Sequence, residues 1–438
     1  MIGRRRCIVL LSALFLALMP MAAQIRGYNI VVSVTPDHQD WNYEVGETAV
    51  FTIRVLRSST LMDDVAIEYE QGPEMYPEGG WKQATLAKGE MTVRGTMDKP
   101  GFYRVRVRAD IGGKTYEGMC TAAFSPEEIE PQSGCPDDFD AFWEKALAEA
   151  RATALDPHKE LLADRCTEDV NVYEVSFNNE RQDSRMYGIL CVPVKAGKYP
   201  ALLRVPGAGV RPYTGDVWTA EQGVITLEIG VHGIPVTMEQ QVYDRLASAA
   251  LNGYWDTNLD NPDRNYYKRV FTGAIRAIDY IASLSADDVA WDGENLCVTG
   301  SSQGGMLSLV CAALDKRVSC YGAVHAALCD HAASLNGVAC GWPHYFYYDK
   351  TQATDAKVRG AGYYDGINFA KRITCPGWFS FGYNDDVVPP TTSFATYNSV
   401  SAPKTLSVYQ QTGHYWYQEQ WDEWVAWILA QLGVTKQE

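Results

Sequence analysis

Positive charge is scarce in this 438-residue chain: 38 lysines and arginines stand against 54 aspartates and glutamates, a formal net charge of −16. So acidic a surface repels phosphate backbones and anionic membranes, which argues against nucleic acid or a lipid surface as partner. It also disfavours acidic polysaccharides and suits a neutral or acetylated sugar better. Paired cysteine motifs are lacking too: eleven cysteines are scattered without one C-x-x-C spacing, no metal site is supported, and no cofactor is expected. A chain of this length can bury a large core without disulfides. Cys297 and Cys311 lie in apolar runs and read as buried thiols. Cys329 and Cys340 are close enough in sequence for a short-range bridge, which sequence alone does not decide. There is no internal repeat, no low-complexity tract and, past the N-terminus, no run apolar enough to span a bilayer.

At the N-terminus, Arg4-Arg5-Arg6 precedes an apolar run from Ile8 to Met19, and Ala22-Ala23 offer small residues for cleavage before Gln24. This is the pattern of a secretory signal peptide over residues 1–23. The run is shorter than the ~20 apolar residues of a membrane-spanning helix. No cysteine follows the cleavage point directly, so a lipid anchor is not expected. The mature protein is therefore expected in the periplasm or outside the cell. Removing the three arginines with the leader takes the net charge from −16 to −19.

Residues 24–127 carry short alternating runs, Asn29 to Val34, Ala49 to Val55 and Gly101 to Val107, separated by turns such as Glu78-Gly79-Gly80 and Gly112-Gly113. Period-two alternation with such punctuation predicts an Ig-like antiparallel β-sandwich. Its aromatic residues Trp41, Tyr43, Tyr69, Tyr76 and Trp81 suit either a core or stacking on pyranose rings. The acidic, proline-bearing stretch Ser125 to Pro136 reads as a linker. Over residues 128–438, apolar strands such as Ala201 to Val205 and Gly223 to Leu227 alternate with helical stretches such as Ala274 to Tyr280. That pattern predicts a mostly parallel, doubly wound sheet with helices on both faces, whose ligands bind at the strands' carboxyl ends.

The segment Leu296 to Met306 ends an apolar run in Gly300-Ser301-Ser302-Gln303-Gly304 and then turns helical. G-x-S-x-G at a strand-to-helix turn is a nucleophile elbow, which pushes a serine hydroxyl out to where a histidine can take its proton. Ser302 is the candidate nucleophile; a turn without chemistry is the plain alternative. An acid and then a histidine should follow, each past a later strand. Gly377 to Gly382 reads as a buried strand leading into Asn384-Asp385-Asp386 and Pro389-Pro390. Thr405 to Gln410 reads as the last strand, and His414 comes just past it, ahead of an amphipathic segment from Trp421 to Leu432. His414 is the candidate base. Of the remaining histidines, His38 and His158 lie far upstream, His232 precedes the serine, and His325, His331 and His344 follow it too closely; each reads first as a packing or surface histidine, with His232 the lesser candidate for lining the site.

With these residues in hand, the chain from about Pro131 resembles the acetyl xylan esterase family that includes cephalosporin C deacetylases, within the α/β-hydrolase superfamily. The resemblance rests on Asp137 to Trp143, Tyr266-Tyr267-Lys268-Arg269, Gly300 to Gly305, Asp385 ahead of Pro389-Pro390, and Gly413-His414. It implies Asp385 as the acid, with Asp386 the alternative, and oxyanion-hole amides at Gln303 and Ala208. The family's H-G-Y segment appears here as Pro206-Gly207-Ala208 and its R-G-Q-like segment as Val231-His232-Gly233. A backbone amide serves from alanine as well as from tyrosine, so the departures bear on the acyl pocket more than on the mechanism.

The resemblance implies a serine esterase removing O-acetyl groups from carbohydrates such as xylo-oligosaccharides, with a homo-oligomer left open. The segment Trp342 to Tyr364, rich in tyrosine, is expected as a substrate wall or oligomer contact. Two other functions stay open: a serine hydrolase of another ester or a peptide, and a glycan-binding protein with an inactive hydrolase domain.

Overall fold

The computed structural model describes residues 29–284 and 288–434, so the leader read over residues 1–23 lies outside the described residues. The N-terminal strands are β1 (Ile30–Pro36), β2 (Asn42–Tyr43), β3 (Ala49–Arg57), β4 (Thr60–Leu61), β5 (Val65–Pro73), β6 (Glu78–Leu86), β7 (Glu90–Gly95), β8 (Gly101–Ile111) and β9 (Lys114–Phe124). In β3 the residues Ala49, Phe51, Ile53 and Val55 are fully buried while their neighbours are half-exposed, the alternation expected of a strand with one face on a core. One sheet pairs β3 with β1, β4 and β7; the other runs β2-β9-β8-β5-β6. All pairings are antiparallel except that of the two-residue β2 with β9.

Trp41 and Tyr43 are buried between these sheets, so two of the five aromatic residues considered for sugar stacking are core. Ser125 to Pro136 is pinned along its length. The Gln132 and Ser133 amides donate to Asp330, and Asn398 donates to the carbonyls of Pro126 and Ile129 at 3.0 Å.

The rest of the chain contributes α1 (Phe139–Ala152), β10 (His158–Leu161), β11 (Val170–Asn178), β12 (Arg185–Pro193), β13 (Gly197–Arg204), α2 (Val217–Glu221), β14 (Ile225–Gly230), α3 (Gln240–Ser248), α4 (Tyr266–Ser283), β15 (Val289–Ser301), α5 (Gln303–Leu314), β16 (Cys320–Val324), α6 (Asp355–Gly362), α7 (Gly366–Ala370), β17 (Gly377–Phe381), α8 (Pro390–Ser399), β18 (Lys404–Val408) and α9 (Gln418–Gln431). These strands form one sheet in the order β10-β11-β12-β14-β13-β15-β16-β17-β18. From β14 onward every pairing is parallel, and β10, β11 and β12 join antiparallel at one side.

Central strands are apolar on both faces because both are covered. Leu202, Cys297, Cys320 and Trp378 pack under α9 through Trp424, Ile428 and Leu429. Their neighbours Leu203, Val298, Tyr321 and Phe379 face the opposite core, which holds Trp143 of α1, Phe271 of α4 and Leu309 of α5. The strand expected from Gly223 begins two residues later, at Ile225, because Gly223 adopts a φ of +87°.

Cys297 and Cys311 are buried free thiols; Cys329 and Cys340 are free as well, which corrects the short-range bridge considered above. Cys329 instead donates to the Ala327 carbonyl at 3.2 Å. Among the described residues no helix is long and apolar enough to cross a membrane.

Candidate active site

The parallel strands deliver their functional groups to one edge of the sheet. Ala208 follows β13, His232 follows β14, Ser302 follows β15, His325 follows β16, Asp385 follows β17 and His414 follows β18. Ser302 adopts φ 61° and ψ −123°, a conformation costly for any side chain, and is held there by its amide on the Val324 carbonyl at 2.9 Å. The turn fits only because its flanks lack side chains. A Cβ on Gly300 would stand 2.5 Å from the Val205 carbonyl oxygen, and one on Gly304 would stand 2.4 Å from the same atom. Among the described residues, the Ser302 hydroxyl makes no hydrogen bond.

His414 donates through Nδ1 to Asp385 Oδ2 at 2.8 Å. The other Asp385 oxygen accepts from the amides of Val387 and Val388 at 2.9 and 2.8 Å. Asp385 is fully buried, whereas the Asp386 side chain is about half exposed and lies 3.8 Å from Arg106. Of the two adjacent carboxylates only Asp385 reaches the imidazole.

His325, set aside in the sequence because it follows the serine too closely, also stands in the site. It is buried, accepts from the Ser301 hydroxyl through Nε2 at 2.7 Å, and lies 4.0 Å from Asp385 Oδ2 through Nδ1. Burial, with His414 beside it, pushes its pKa down to about 3, so it stays neutral. Donor atoms of His325, Asp385 and His414 fall within 4.8 Å of one another. The 2.8 Å contact from His414 Nδ1 to the carboxylate is a charge-assisted hydrogen-bond distance. Position relative to the serine could not have found His325; only the register of β16 beside β15 brings it here.

Among the described residues, no protein acceptor takes the amide protons of Gln303 or Ala208. The side chain of Gln303 is locked: its Oε1 accepts from the hydroxyls of Tyr254 and Tyr267 at 2.7 and 3.0 Å. Tyr254 also receives the Gly209 amide at 3.4 Å. His232 packs against the loop that carries Ala208. Tyr266 donates to its Nδ1 at 2.7 Å, and its Nε2 donates to the Gly209 carbonyl at 3.0 Å. Burial lowers the pKa of His232, which suits this neutral tautomer. Arg211 binds the carbonyls of Gly207 and Ala208. The loop carrying Ala208 is thus fixed by Arg211, His232 and Tyr254, of which the sequence had marked only His232.

Of the expected Trp342 to Tyr364 segment, Phe346, Tyr363 and Tyr364 are core, Tyr348 is exposed, and the Tyr347 hydroxyl donates to the Met75 carbonyl of the sandwich at 2.6 Å.

A mostly parallel sheet with this strand order and a serine elbow entering α5 defines an α/β-hydrolase. Within that class the chain belongs to the acetyl xylan esterase family, whose model matches residues 125–431, and it is a carboxylic ester hydrolase. Over 403 residues it is 38% identical to the acetyl esterase Axe7A of Xylanibacter ruminicola, covering 91% of this chain and 90% of that one. Two solved structures are also similar. The acetyl xylan esterase from Paenibacillus sp. R4 is 28% identical with a TM-score of 0.60, covering 70% of this chain and 98% of its own. Acetyl xylan esterase 1 from Thermoanaerobacterium is 26% identical with a TM-score of 0.59, covering 70% of this chain and 97% of its own. The β-sandwich ends at Phe124, just ahead of the family match.

Proposed function

We propose that this protein removes O-acetyl groups from short carbohydrate chains, such as acetylated xylo-oligosaccharides, by acyl transfer through Ser302, His414 and Asp385. The observation that carries the reading is the buried Asp385 bonded at 2.8 Å to His414, at the same sheet edge as the strained Ser302 elbow. In this reading Ser302 Oγ attacks the acetyl carbonyl while His414 Nε2 takes its proton. The negative oxygen of the tetrahedral intermediate is met by the free amides of Gln303 and Ala208; such a donor typically contributes ~3 kcal/mol to the transition state. Collapse breaks the bond to the sugar oxygen, which receives the proton from His414 and leaves as a hydroxyl. A water molecule, deprotonated by His414, then attacks the acetyl-enzyme; acetate departs and Ser302 regains its proton. The Asp385 carboxylate orients the imidazole and stabilises the imidazolium.

The acetyl specificity accords with the family and with the name of the 38%-identical relative. The leader over residues 1–23 supports an enzyme of the periplasm or exterior, where polysaccharide fragments are met. The test is acetate release from acetylated xylo-oligosaccharides by the purified protein, with Ser302→Ala in parallel. Release by the wild type and none by the variant is the expected result. Turnover of p-nitrophenyl acetate without sugar deacetylation would keep the serine and discard the sugar. Silence from folded wild type on all acetyl esters would discard the reading.

A further inference from the structure

Arg104, near the start of β8 of the sandwich, is 4% exposed and points out of its own domain. Its Nη2 donates to the carbonyl of Tyr383 at 3.1 Å and to the carbonyl of Asp385 at 2.8 Å. Its Nε donates to the Thr121 hydroxyl at 2.8 Å, and Thr121 in turn donates to Asn384 Oδ1 at 3.1 Å. Three consecutive residues of the loop between β17 and α8, Tyr383 to Asp385, are therefore held by two side chains of the sandwich. The far end of the loop is held as well. Glu74, buried and 3.5 Å from Arg104, accepts from the Thr391 amide at 3.0 Å, in the first turn of α8.

The apolar contacts say the same. Phe102 of β8 meets Tyr383 edge-on with centroids 5.0 Å apart and Phe394 of α8 at 5.7 Å. Phe381, Tyr383, Phe394 and Ala395 belong to the sandwich's own core, and the Tyr383 hydroxyl donates to Asn42 at 2.9 Å. A glycan-binding module on a tether would not bury an arginine into its neighbour's loop, since desolvating a guanidinium is costly unless its acceptors are fixed.

We propose that the N-terminal sandwich is a working part of the active site: Arg104 is a positioning residue that holds the Asp385 backbone so that its carboxylate stays aimed at His414. The proposal rests on the reading of Ser302, His414 and Asp385 as the catalytic groups. The role assigned to Arg104 is positioning, not contact with the reacting atoms. It acts through two carbonyls of the acid loop, and a loop free to drift by about 1 Å costs roughly a hundredfold in rate. The sandwich lies outside the family match, so the groups that hold this loop come from beyond the matched domain.

The test uses the full chain with Arg104→Met, Arg104→Lys and Thr121→Val, and with Arg54→Met as a control at the exposed Arg54–Glu90 pair of the sandwich. Active sites are counted by the burst of p-nitrophenol from p-nitrophenyl acetate or by a phosphonate label, so that misfolded protein drops out. Arg104→Met is expected to lower kcat per titrated site by about a hundredfold with KM changed less than twofold. Its kcat/KM profile should also move its acid limb to lower pH, because a drifting carboxylate stabilises the imidazolium less. Lysine, which can still donate to both carbonyls, should restore most of the loss; Thr121→Val should fall between; Arg54→Met should match the wild type.

A folded Thr121→Val and Arg104→Met with unchanged kcat and pH limb would overturn the proposal. So would a loss of kcat with the limb unmoved, which is what a purely structural role gives. If Arg104→Met does not fold, Thr121→Val and Arg104→Lys carry the same two readouts. Asp385→Asn, measured alongside, separates the two ideas: an active Asp385→Asn sinks the catalytic reading itself, whereas an inactive one beside an unaffected Arg104→Met sinks only the role of the sandwich.

Discussion

The rings of His325 and His414 lie with centroids 4.2 Å apart and planes tilted by 37°. Two cationic imidazoles could not pack so closely in a buried site. One of the pair must remain neutral through the cycle, and burial assigns that state to His325, whose pKa is pushed down to about 3. In the proposed mechanism His414 then takes the serine proton while a neutral ring lies beside it.

This arrangement has a pH signature. The folded pKa of His325 lies below the unfolded value near 6.5, so the folded state binds fewer protons than the unfolded chain between the two. The stability His325 contributes is complete above pH 6.5 and is lost as pH falls toward 3. Between pH 7 and pH 5 the wild type should lose about 2 kcal/mol more than His325→Gln, whose side chain does not titrate. Urea midpoints at the two pH values measure it, and parallel losses would show that His325 is not the buried neutral group described. At pH 7.5 the same variant should lose roughly tenfold in kcat, about 1.4 kcal/mol, because His414 loses the ring it rests on.

The two carboxylates at 385 and 386 separate by burial and by partner. Asp385→Asn keeps the shape but supplies no charge to the imidazole, and kcat should fall by about 10³- to 10⁴-fold. Asp386→Asn weakens only a half-exposed contact to Arg106, worth well under 1 kcal/mol, and should stay within threefold of the wild type. Steady-state kinetics on p-nitrophenyl acetate decides between them, and the reverse ranking would reassign the acid.

The elbow makes a prediction about backbone. At Gly304 the obstacle is the Val205 carbonyl, and main chain cannot swing aside as a long side chain can. Gly304→Ala should therefore destabilise the protein by about 3 kcal/mol and flatten the Ser302 turn. The expected result is a lowered thermal midpoint together with a lost p-nitrophenol burst. A variant as stable and active as the wild type would mean that the turn is looser than the 2.4 Å contact implies.

Ser302, Asp385 and His414 could be named as candidates from the sequence because each follows a strand legible from local pattern: an apolar run, then glycine, proline or polar residues. The sandwich was legible for the same reason, since alternation in β3 and β8 is a property of neighbours along the chain. His325 was not legible because its place depends on β16 lying beside β15, a long-range pairing. Arg104 was hidden more deeply. Within β8 it reads as one of the alternating polar residues of Arg104-Val105-Arg106-Val107, and nothing local distinguishes it from Arg106 or Arg108, which are about 40% exposed. Only the docking of the sandwich on the acid loop makes one of the three arginines a buried contact.

The same docking opens a cleft of about 640 Å³ between the sandwich and the loop that follows His414, lined among others by Trp81, Arg106, Glu117, Asp386, Gln411 and Tyr417. Trp81, Tyr415 and Tyr417 keep 40, 50 and 41% of their surface exposed at its walls, unlike Trp41 and Tyr43. Flat aromatic faces flanked by amide, carboxylate and guanidinium groups match a neutral sugar chain, which offers C–H faces for stacking and hydroxyls for hydrogen bonds. Asp386 and Gly413 of the lining are the immediate neighbours of Asp385 and His414, so a chain in the cleft runs close to the reacting centre. Tyr417→Ala and Trp81→Ala should each raise KM for an acetylated xylotetraose by about five- to tenfold, the equivalent of roughly 1 kcal/mol of lost stacking, with kcat little changed. KM for p-nitrophenyl acetate, too small to reach the cleft, should stay within twofold. Equal shifts on both substrates would place the tyrosine and tryptophan in folding rather than in sugar binding, and no shift on either would move the sugar chain to the separate cavity lined by Tyr347 and Tyr348.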